Sequence, residues 1–306
     1  MIEYKMFGLI KKTLLLISAL TSMIVNPLPI LKRITMTTTL TSTPTTTYTT
    51  NYPIVVLHGL ESSSREMEPL ANWLETTFHT NVYNIEIGNG EKTSMYTSLN
   101  SQLDELCLSI YDIDDLNDGF DFIGISQGGL LARGYVERCN SYPVRNLITL
   151  VAPHGGIFWS NTKNNGLMYN DFFQNHFSVA SYWRNPSMLD TYLTCSFLAL
   201  LNNELWCDTE SPVYRRNIRN LSNFIMIWSP EDKVLDPPES GKFSFFDANF
   251  NVIPLEETDL FKNDKLGLKH LNYIGGLHIY QTNCSHVDHR NPVCFEQLYA
   301  ILKRFL

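Results

Sequence analysis

The sequence carries little charge, and beyond its N-terminus it has no dense cluster of lysine and arginine. Charged residues make up 18% of the 306 positions, and the formal net charge is −8. Nucleic-acid binding relies on clustered positive charge that neutralises phosphates, and this sequence does not offer it. The composition therefore argues against a nucleic-acid partner.

The N-terminus lacks an apolar run long enough to cross a bilayer easily. Its apolar segment, Thr13–Val25, follows Lys11 and Lys12 and would span only about 20 Å as a helix, whereas the hydrocarbon core is about 30 Å thick. Lysines before a short apolar run are typical of a secretory signal peptide. We predict a signal peptide over residues 1–25, with an uncleaved signal anchor as the alternative.

Residues 26–50 offer almost nothing to bury. Threonine dominates from Thr35 to Thr50, and Pro44 interrupts that stretch. Such a composition predicts a flexible spacer. The folded domain is expected over residues 51–306, a length that suits one large domain with an insertion.

Short apolar runs alternate with helical patterns in the remainder of the chain. Apolar residues recur at helical spacing between Leu99 and Ile110, and a second helical pattern runs from Gly128 to Cys139. This alternation predicts an α/β fold with a mostly parallel central sheet and helices on both faces. The predicted strands are Ile54–Leu57, Val82–Ile87, Phe120–Ile125, Asn146–Val151, Phe224–Trp228 and Leu277–Gln281.

A G-x-S-x-G motif lies where a predicted strand meets a predicted helix. The segment is Gly124-Ile125-Ser126-Gln127-Gly128-Gly129. In a nucleophile elbow the serine takes a strained backbone conformation, and the glycines leave room for the sharp turn. The motif alone is weak, since it also fits a glycine turn with an incidental serine. In this context it predicts an α/β-hydrolase fold with Ser126 as the nucleophile.

Two backbone amides are candidates for an oxyanion hole. In this fold one donor is the N–H after the nucleophile, here Gln127. The other comes from the loop after an early strand, here Leu60 in His58-Gly59-Leu60. His58 itself is interpreted as a structural histidine, because the base of this fold follows the nucleophile in the chain.

The acid and the base are sought after the nucleophile, in that order. In the loop after the strand Phe224–Trp228, Asp232 is the favoured acid, Asp236 is the alternative, and Glu231 is interpreted as a solvated charge. Of two late histidines, His286 lies closer to the end of its strand than His289 and is the favoured base.

The same late segment permits a metal site, because Cys284, the two histidines and Cys294 supply suitable ligands. In a secretory protein Cys284 and Cys294 are instead expected to pair and to hold the histidine-bearing loop. We predict this disulfide and no metal.

Cysteines and sequons elsewhere fit the same secretory reading. Six cysteines allow 15 pairings, and a Cys195–Cys207 pair is also expected. Glycosylation is predicted at the sequons of Asn220 and Asn283.

The strand–helix alternation stops between residues 158 and 220, where aromatic residues are frequent. A helical insertion with its own small core accounts for this segment. We predict that it also forms a lid that roofs the active site and lines an apolar groove. The aromatic residues are Phe158, Trp159, Phe172, Phe173, Phe177, Tyr182, Trp183, Tyr192, Phe197 and Trp206.

Over most of residues 52–306 the chain resembles the palmitoyl-protein thioesterases. The elbow together with the Tyr-Trp-x-x-Pro and Ser-Phe-Leu-Ala segments is far more specific than the elbow alone. The segments that carry the resemblance are Val56-Leu57-His58-Gly59-Leu60, Gly124-Ile125-Ser126-Gln127-Gly128-Gly129, Tyr182-Trp183-Arg184-Asn185-Pro186, Ser196-Phe197-Leu198-Ala199-Leu200-Leu201-Asn202, Phe243–Asp247, Asp264-Lys265-Leu266-Gly267-Leu268-Lys269 and Cys284-Ser285-His286.

The resemblance implies a lysosomal or secreted enzyme that removes thioester-linked palmitate. The two-step acyl transfer expected of its serine needs no cofactor. Its substrates would be palmitoylated proteins or peptides, or palmitoyl-coenzyme A. It implies the roles of nucleophile, orienting acid and base for Ser126, Asp232 and His286, and of oxyanion donors for the Leu60 and Gln127 amides. It also implies a Cys107–Cys139 disulfide.

Three further expectations complete the interpretation. Membrane contact is expected only through the N-terminal segment or a lipid substrate. An oxygen-ester lipase or esterase is the main alternative activity, because its chemistry is the same. An inactive lipid-binding relative that retained the fold is the alternative from another class.

Overall fold

The computed structural model of the protein describes residues 52–159, 165–205 and 211–306. The predicted signal peptide and spacer, residues 1–50, lie outside the described residues, and so does Cys207 of the predicted Cys195–Cys207 pair. Among the helices that the structure describes, none is both long enough and apolar enough to span a bilayer.

Six parallel strands form the central sheet, in the order β2-β1-β3-β4-β5-β8. β3 is buried along its whole length, as expected of a parallel strand covered on both faces. The α/β fold predicted from the alternation is confirmed. The strands are β1 (Ile54–Leu57), β2 (Val82–Ile85), β3 (Phe120–Ile125), β4 (Val144–Leu150), β5 (Asn223–Trp228) and β8 (Leu277–Gln281), and a separate hairpin pairs β6 (Phe245–Phe246) with β7 (Val252–Ile253).

Two strands end at different residues from those predicted. β2 stops at Ile85 rather than Ile87, because its neighbour β1 ends at Leu57, directly opposite Ile85. β4 stops before Val151, whose φ of 46° leaves the extended region. Apolar character alone therefore overestimates the length of a strand, because strand pairing and backbone angles decide where the strand ends.

Helices cover both faces of the sheet. α1 and α11 lie on one face, where their apolar side chains join those of the strands in one core. α3 and α4 pack on the other face. The helices are α1 (Ser64–Phe78), α2 (Glu91–Tyr96), α3 (Leu99–Tyr111), α4 (Gln127–Gly134), α5 (Asp171–His176), α6 (Leu189–Cys195), α7 (Phe197–Leu201), α8 (Pro212–Arg219), α9 (Asp259–Lys262), α10 (Leu268–Ile274) and α11 (Pro292–Leu302).

The apolar residues that predicted α3 all face the core. Leu99, Leu103, Leu106 and Ile110 are fully buried, and each such side chain contributes about 1.5–3 kcal/mol relative to exposure. Ser98 caps the helix by accepting a hydrogen bond from the Ser101 amide. Periodicity predicts this helix correctly because a single apolar stripe of it faces the core.

The helix after the elbow is shorter than the predicted Gly128–Cys139. α4 ends at Gly134, and a wider π-helical turn, Tyr135–Cys139, continues the chain. Tyr135 packs on Phe120 and Phe122 of β3 in this turn. The π turn has only five residues, too few to show a period of its own, so the sequence pattern does not separate it from an α-helix.

The described residues between β4 and β5 include several short helices, and their aromatic side chains form clusters. Phe173 and Phe177 stack with ring centroids 5.2 Å apart. Trp183 is fully buried, with its ring centroid 5.5 Å from that of Phe158. These contacts agree with an insertion that has its own small core. Its role as a lid over the active site stays a prediction.

Candidate active site

Ser126 lies in a sharp turn between β3 and α4. Its φ of 55° and ψ of −128° are unfavourable for a residue with a side chain. A Cβ added to Gly124 would lie 2.4 Å from the Gly128 carbonyl oxygen, and one added to Gly128 would lie 2.4 Å from the His58 carbonyl oxygen. The turn therefore requires glycine at both flanking positions, which is the physical content of the motif.

A loop that we call the glycine loop, His58–Ser62, packs directly against the elbow. A Cβ on Gly59 would lie 2.9 Å from the Ser126 Cβ and 3.0 Å from the Ile125 carbonyl oxygen. The next residue is Leu60, one of the two predicted oxyanion donors. Among the described residues, none accepts a hydrogen bond from the Leu60 amide or from the amide of Gln127, the first residue of α4.

Asp232 is held in the loop after β5. Its side chain is buried, and Oδ1 accepts hydrogen bonds from the amides of Val234 at 2.8 Å and Leu235 at 3.0 Å. Oδ2 lies 2.6 Å from Nδ1 of His286. Because one oxygen is anchored by two amides, the other is oriented to receive an imidazole N–H.

His286 begins a short turn after β8, which we call the histidine turn, His286–Arg290. His286 is 9% exposed. Its Nδ1 faces the Asp232 carboxylate. A neutral imidazole that donates through Nδ1 keeps Nε2 as an acceptor, which is the tautomer that a general base needs.

His289 is engaged differently from His286. It is fully buried, its Nε2 lies 2.8 Å from Thr282 Oγ1, and its Nδ1 lies 2.9 Å from the Ser285 carbonyl oxygen. Burial, followed by the charge of His286, lowers the pKa of His289. Both ring nitrogens thus have local partners, and the geometry favours His286 over His289 as the candidate base.

The other candidates for the acid and the base take no part in the hydrogen bond between Asp232 and His286. Glu231 is exposed, as its interpretation as a solvated charge requires. Asp236 is half-buried, and burial raises the pKa of its carboxyl. His58 is buried with Nδ1 3.1 Å from the Gly59 carbonyl oxygen, and burial lowers its pKa, in keeping with a structural role.

Ser126, Asp232 and His286 follow β3, β5 and β8 at the same edge of the sheet. Parallel strands end together, and the register aligns Ile125 with Leu150, Leu150 with Ile227, and Ile227 with Tyr280. The structure forms the Asp232–His286 hydrogen bond. In the described part of the chain, the Ser126 hydroxyl and the imidazole are not joined by a hydrogen bond. Such bonds often tighten only with substrate bound.

The side chain of Gln127 has a role that the motif did not reveal. It is buried, and its Nε2 donates to the Ser94 carbonyl oxygen at 2.9 Å. Its Oε1 accepts a hydrogen bond from the Tyr182 hydroxyl at 3.1 Å. The insertion is thus bonded to the residue next to Ser126, the predicted nucleophile. The sequence signal that could have indicated this contact is that Tyr182 lies in a segment that carries the family resemblance.

Two disulfides form among the described residues, and both are expected pairs. Cys107 of α3 is bonded to Cys139 at the end of the π turn. Cys284 is bonded to Cys294, which encloses the histidine turn. The thiols required by the alternative metal site are consumed by this second bridge. Asn220 and Asn283 are exposed, as glycosylation requires, and their modification stays a prediction.

Known proteins are similar to this chain over most of its length. A family model described as palmitoyl protein thioesterase matches residues 53–286. The chain is 36% identical over 249 residues to palmitoyl-protein thioesterase 3 of Dictyostelium discoideum, covering 78% of this chain and 86% of that one. It is 31% identical over 271 residues to the lysosomal thioesterase PPT2 homolog of Drosophila melanogaster, covering 82% and 91%.

Solved structures with a similar fold are far more distant in sequence. Aspergillus fumigatus lipase B has a TM-score of 0.47 and 12% identity, covering 80% of this chain and 50% of that one. Such similarity supports no statement about activity. The family match, in contrast, spans the elbow, the loop that carries Asp232, and His286. The chain belongs to the palmitoyl protein thioesterase family.

Proposed function

We propose that this protein hydrolyses long-chain fatty acyl thioesters, such as palmitoyl groups on protein cysteines or on coenzyme A, through an acyl-enzyme. As a member of its family the chain is a serine hydrolase with thioesterase activity. The observation that carries the assignment of residues is the 2.6 Å contact between Asp232 and His286 at the sheet edge where Ser126 lies.

Acylation begins when substrate binding brings the Ser126 hydroxyl to Nε2 of His286. The imidazole accepts the hydroxyl proton while Ser126 Oγ attacks the thioester carbonyl carbon. The amides of Leu60 and Gln127 donate hydrogen bonds to the oxyanion that forms. Collapse of this intermediate breaks the carbon–sulfur bond, and the imidazolium returns its proton to the departing thiolate.

Deacylation repeats the same steps with water. His286 accepts a proton from the water, whose oxygen attacks the acyl-enzyme carbonyl, and Ser126 leaves with that proton. Asp232 stabilises the imidazolium in both halves of the reaction. No step calls for a metal ion or an organic cofactor, because a thiolate with a pKa near 8.5 leaves readily.

The acyl chain is the part of the substrate that supplies affinity. Each buried CH₂ group contributes about 0.8 kcal/mol, so an apolar groove lined by the aromatic insertion would bind a long chain tightly. Trp159 joins this insertion to the loop that carries Asp232, because its Nε1 donates to the Val234 carbonyl oxygen at 3.1 Å. We therefore place the acyl groove beneath the insertion.

The compartment follows from the same features. Relatives of this chain include thioesterases named lysosomal, and two disulfides form in the described part of the chain. Disulfides persist in secretory compartments. The proposal places the enzyme in the lysosome or outside the cell, acting on palmitoylated proteins or palmitoyl-coenzyme A.

The test is an assay of purified protein on a palmitoyl thioester beside its Ser126→Ala variant. We expect a loss of at least about 10³-fold, the scale for a triad nucleophile. Equal activity of the variant would contradict the mechanism. A matched palmitoyl oxygen ester separates the alternatives: faster hydrolysis of the oxygen ester would indicate a lipase or esterase. Failure of a fluorophosphonate probe to label the wild-type protein would indicate an inactive relative.

A further inference from the structure

A cluster of three polar residues joins the glycine loop to the histidine turn. Nη1 of Arg290 donates to Ser62 Oγ at 2.8 Å and lies 3.0 Å from Glu66 Oε2. Ser62 Oγ in turn donates to Glu66 Oε2 at 2.7 Å. We call these three residues the Arg290 cluster. It connects two parts of the chain that are more than 200 positions apart in sequence.

At one end, the Arg290 cluster holds the segment that carries the Leu60 amide. Ser62 is 3% exposed and closes the glycine loop two residues after Leu60. Glu66 lies in the first turn of α1, where the helix dipole favours a negative charge. Since Gly59 already packs against Ser126, fixing Ser62 leaves the short stretch between them little freedom.

At the other end, the Arg290 cluster holds the segment that carries the imidazole. Arg290 closes the turn that His286 begins. The turn is internally bonded: the Asp288 amide donates to the Ser285 carbonyl oxygen at 3.1 Å, and Asn291 Nδ2 donates to the Val287 carbonyl oxygen at 3.1 Å. A displacement of Arg290 would therefore be transmitted to His286.

Strand pairing and a disulfide join the histidine turn to other parts of the molecule. The turn follows β8, which lies at one end of the strand order and, among the described strands, pairs with β5. The Cys284–Cys294 bridge joins the turn to α11 rather than to the elbow. Asp232 orients the imidazole but belongs to β5's loop, not to the glycine loop. Arg290 supplies a direct side-chain link between the histidine turn and the glycine loop.

We propose that Arg290 is a positioning residue for hydrolysis, one that sets the distance between His286 and the Leu60 amide so that both reach the same substrate carbonyl. The inference rests on the proposed function, because it presupposes that Ser126 is acylated. Charge-assisted hydrogen bonds suit this task because they are short and directional. The side chains of Arg290 and Glu66 are 17% and 46% exposed, so the pair itself adds little to global stability.

The experiment measures kcat, KM, melting temperature and the rate of Ser126 labelling by a fluorophosphonate in three variants. Arg290→Met keeps the apolar stem and removes the charge. We expect kcat and the labelling rate to fall about 10- to 100-fold, with KM within about twofold, because small misplacements of catalytic groups cost this much. Arg290→Lys should recover part of the loss. Arg219→Met removes a comparable surface ion pair with Asp264 and should leave kcat unchanged.

A double-mutant cycle with Ser62→Ala tests whether both residues act through one contact. If they do, the double variant should be about as slow as Arg290→Met alone. Multiplying losses would overturn the proposal. So would a kcat within twofold of wild type in Arg290→Met, or an equal loss in Arg219→Met. If Arg290→Met fails to fold, Ser62→Ala and Arg290→Lys decide: normal kcat in both overturns the role.

The labelling rate separates this inference from the proposed function. A wild-type protein that leaves palmitoyl thioesters intact, but is labelled at Ser126, contradicts the proposed substrate and still lets the labelling rates decide on Arg290. A wild-type protein that is not labelled at all overturns both proposals.

Discussion

Two halves of the candidate site are held in place by different forces. The strand-borne half, Ser126 with the glycine loop, is fixed by backbone contacts so close that a methyl group on Gly59 would lie 2.9 Å from the Ser126 Cβ. The loop-borne half, Asp232 with the histidine turn, is fixed by hydrogen bonds such as the two amides that bind Asp232. Substitutions that add volume should therefore impair the strand-borne half. Substitutions that remove a hydrogen bond should impair the loop-borne half.

The largest effect is expected from the loop-borne half. Asp232→Asn keeps the shape of the side chain but presents an amide to Nδ1 of His286, which selects the wrong imidazole tautomer. We expect kcat to fall by about 10³- to 10⁴-fold. Asp236→Asn is the matched control and should stay within about threefold of wild type. If the two variants lost activity equally, Asp232 would not be the orienting acid.

A smaller but still large effect is expected from the strand-borne half. Gly59→Ala adds one methyl group where Ser126 Cβ and the Ile125 carbonyl oxygen leave no room. The glycine loop must shift, and with it the Leu60 amide, so we expect kcat to fall about 10²-fold. The comparison is made on kcat with melting temperature recorded in parallel. A kcat equal to that of the wild type would show that the glycine loop can shift without displacing the Leu60 amide from its working position.

Tyr182→Phe tests how far the insertion supports the strand-borne half. The change deletes the hydroxyl that donates to Gln127 Oε1 and leaves a buried carbonyl oxygen without that donor. We expect a loss of about 1–3 kcal/mol in the free energy of unfolding. Because the Gln127 amide is also a proposed oxyanion donor, kcat should fall about threefold to tenfold. A stability loss with unchanged kcat would confine Tyr182 to packing.

His289→Asn distinguishes the two histidines within the loop-borne half. Its partners, Thr282 Oγ1 and the Ser285 carbonyl oxygen, are structural, so the free energy of unfolding should fall by about 1–3 kcal/mol. The kcat of correctly folded protein should stay within about tenfold of wild type. His286→Asn should abolish activity with a smaller loss of stability. The reverse pattern would exchange the roles.

Glu137 lies outside both halves of the site, and its substitution is expected to have the smallest effect on activity. Burial raises the pKa of Glu137 to about 8, above its ordinary value of 4.5, and the ion pair with Arg133 offsets this only in part. The folded protein then retains a proton that the unfolded chain has lost, so this group's contribution to stability is largest below about pH 4.5 and falls as the pH rises through about 8.

Glu137→Gln removes this titration and nearly preserves the shape. The free energy of unfolding should therefore fall more steeply with rising pH in the wild type than in the variant, between about pH 4.5 and 8. Denaturant unfolding at several pH values measures it. A difference that is independent of pH would contradict the raised pKa.

The parts of the fold and of the site that could be predicted from the sequence are those fixed by residues close together in the chain. Ser126 was recognisable because a strained turn demands glycine at fixed distances along the chain, and Leu99 to Ile110 because a helix face repeats at a fixed period. His286 and His289 could not be separated by such rules with the same force. The distinction depends on Asp232, which lies 54 positions away.

Sequence alone thus determined the alternation of strands and helices and the elbow, since each follows from backbone sterics or apolar periodicity within a short stretch. Only the tertiary structure decided which imidazole meets the carboxylate, that Tyr182 binds Gln127, and that Arg290 links the histidine turn to the glycine loop. These contacts join segments distant in the chain, and their energies exist only once the sheet has brought its strand ends to one edge.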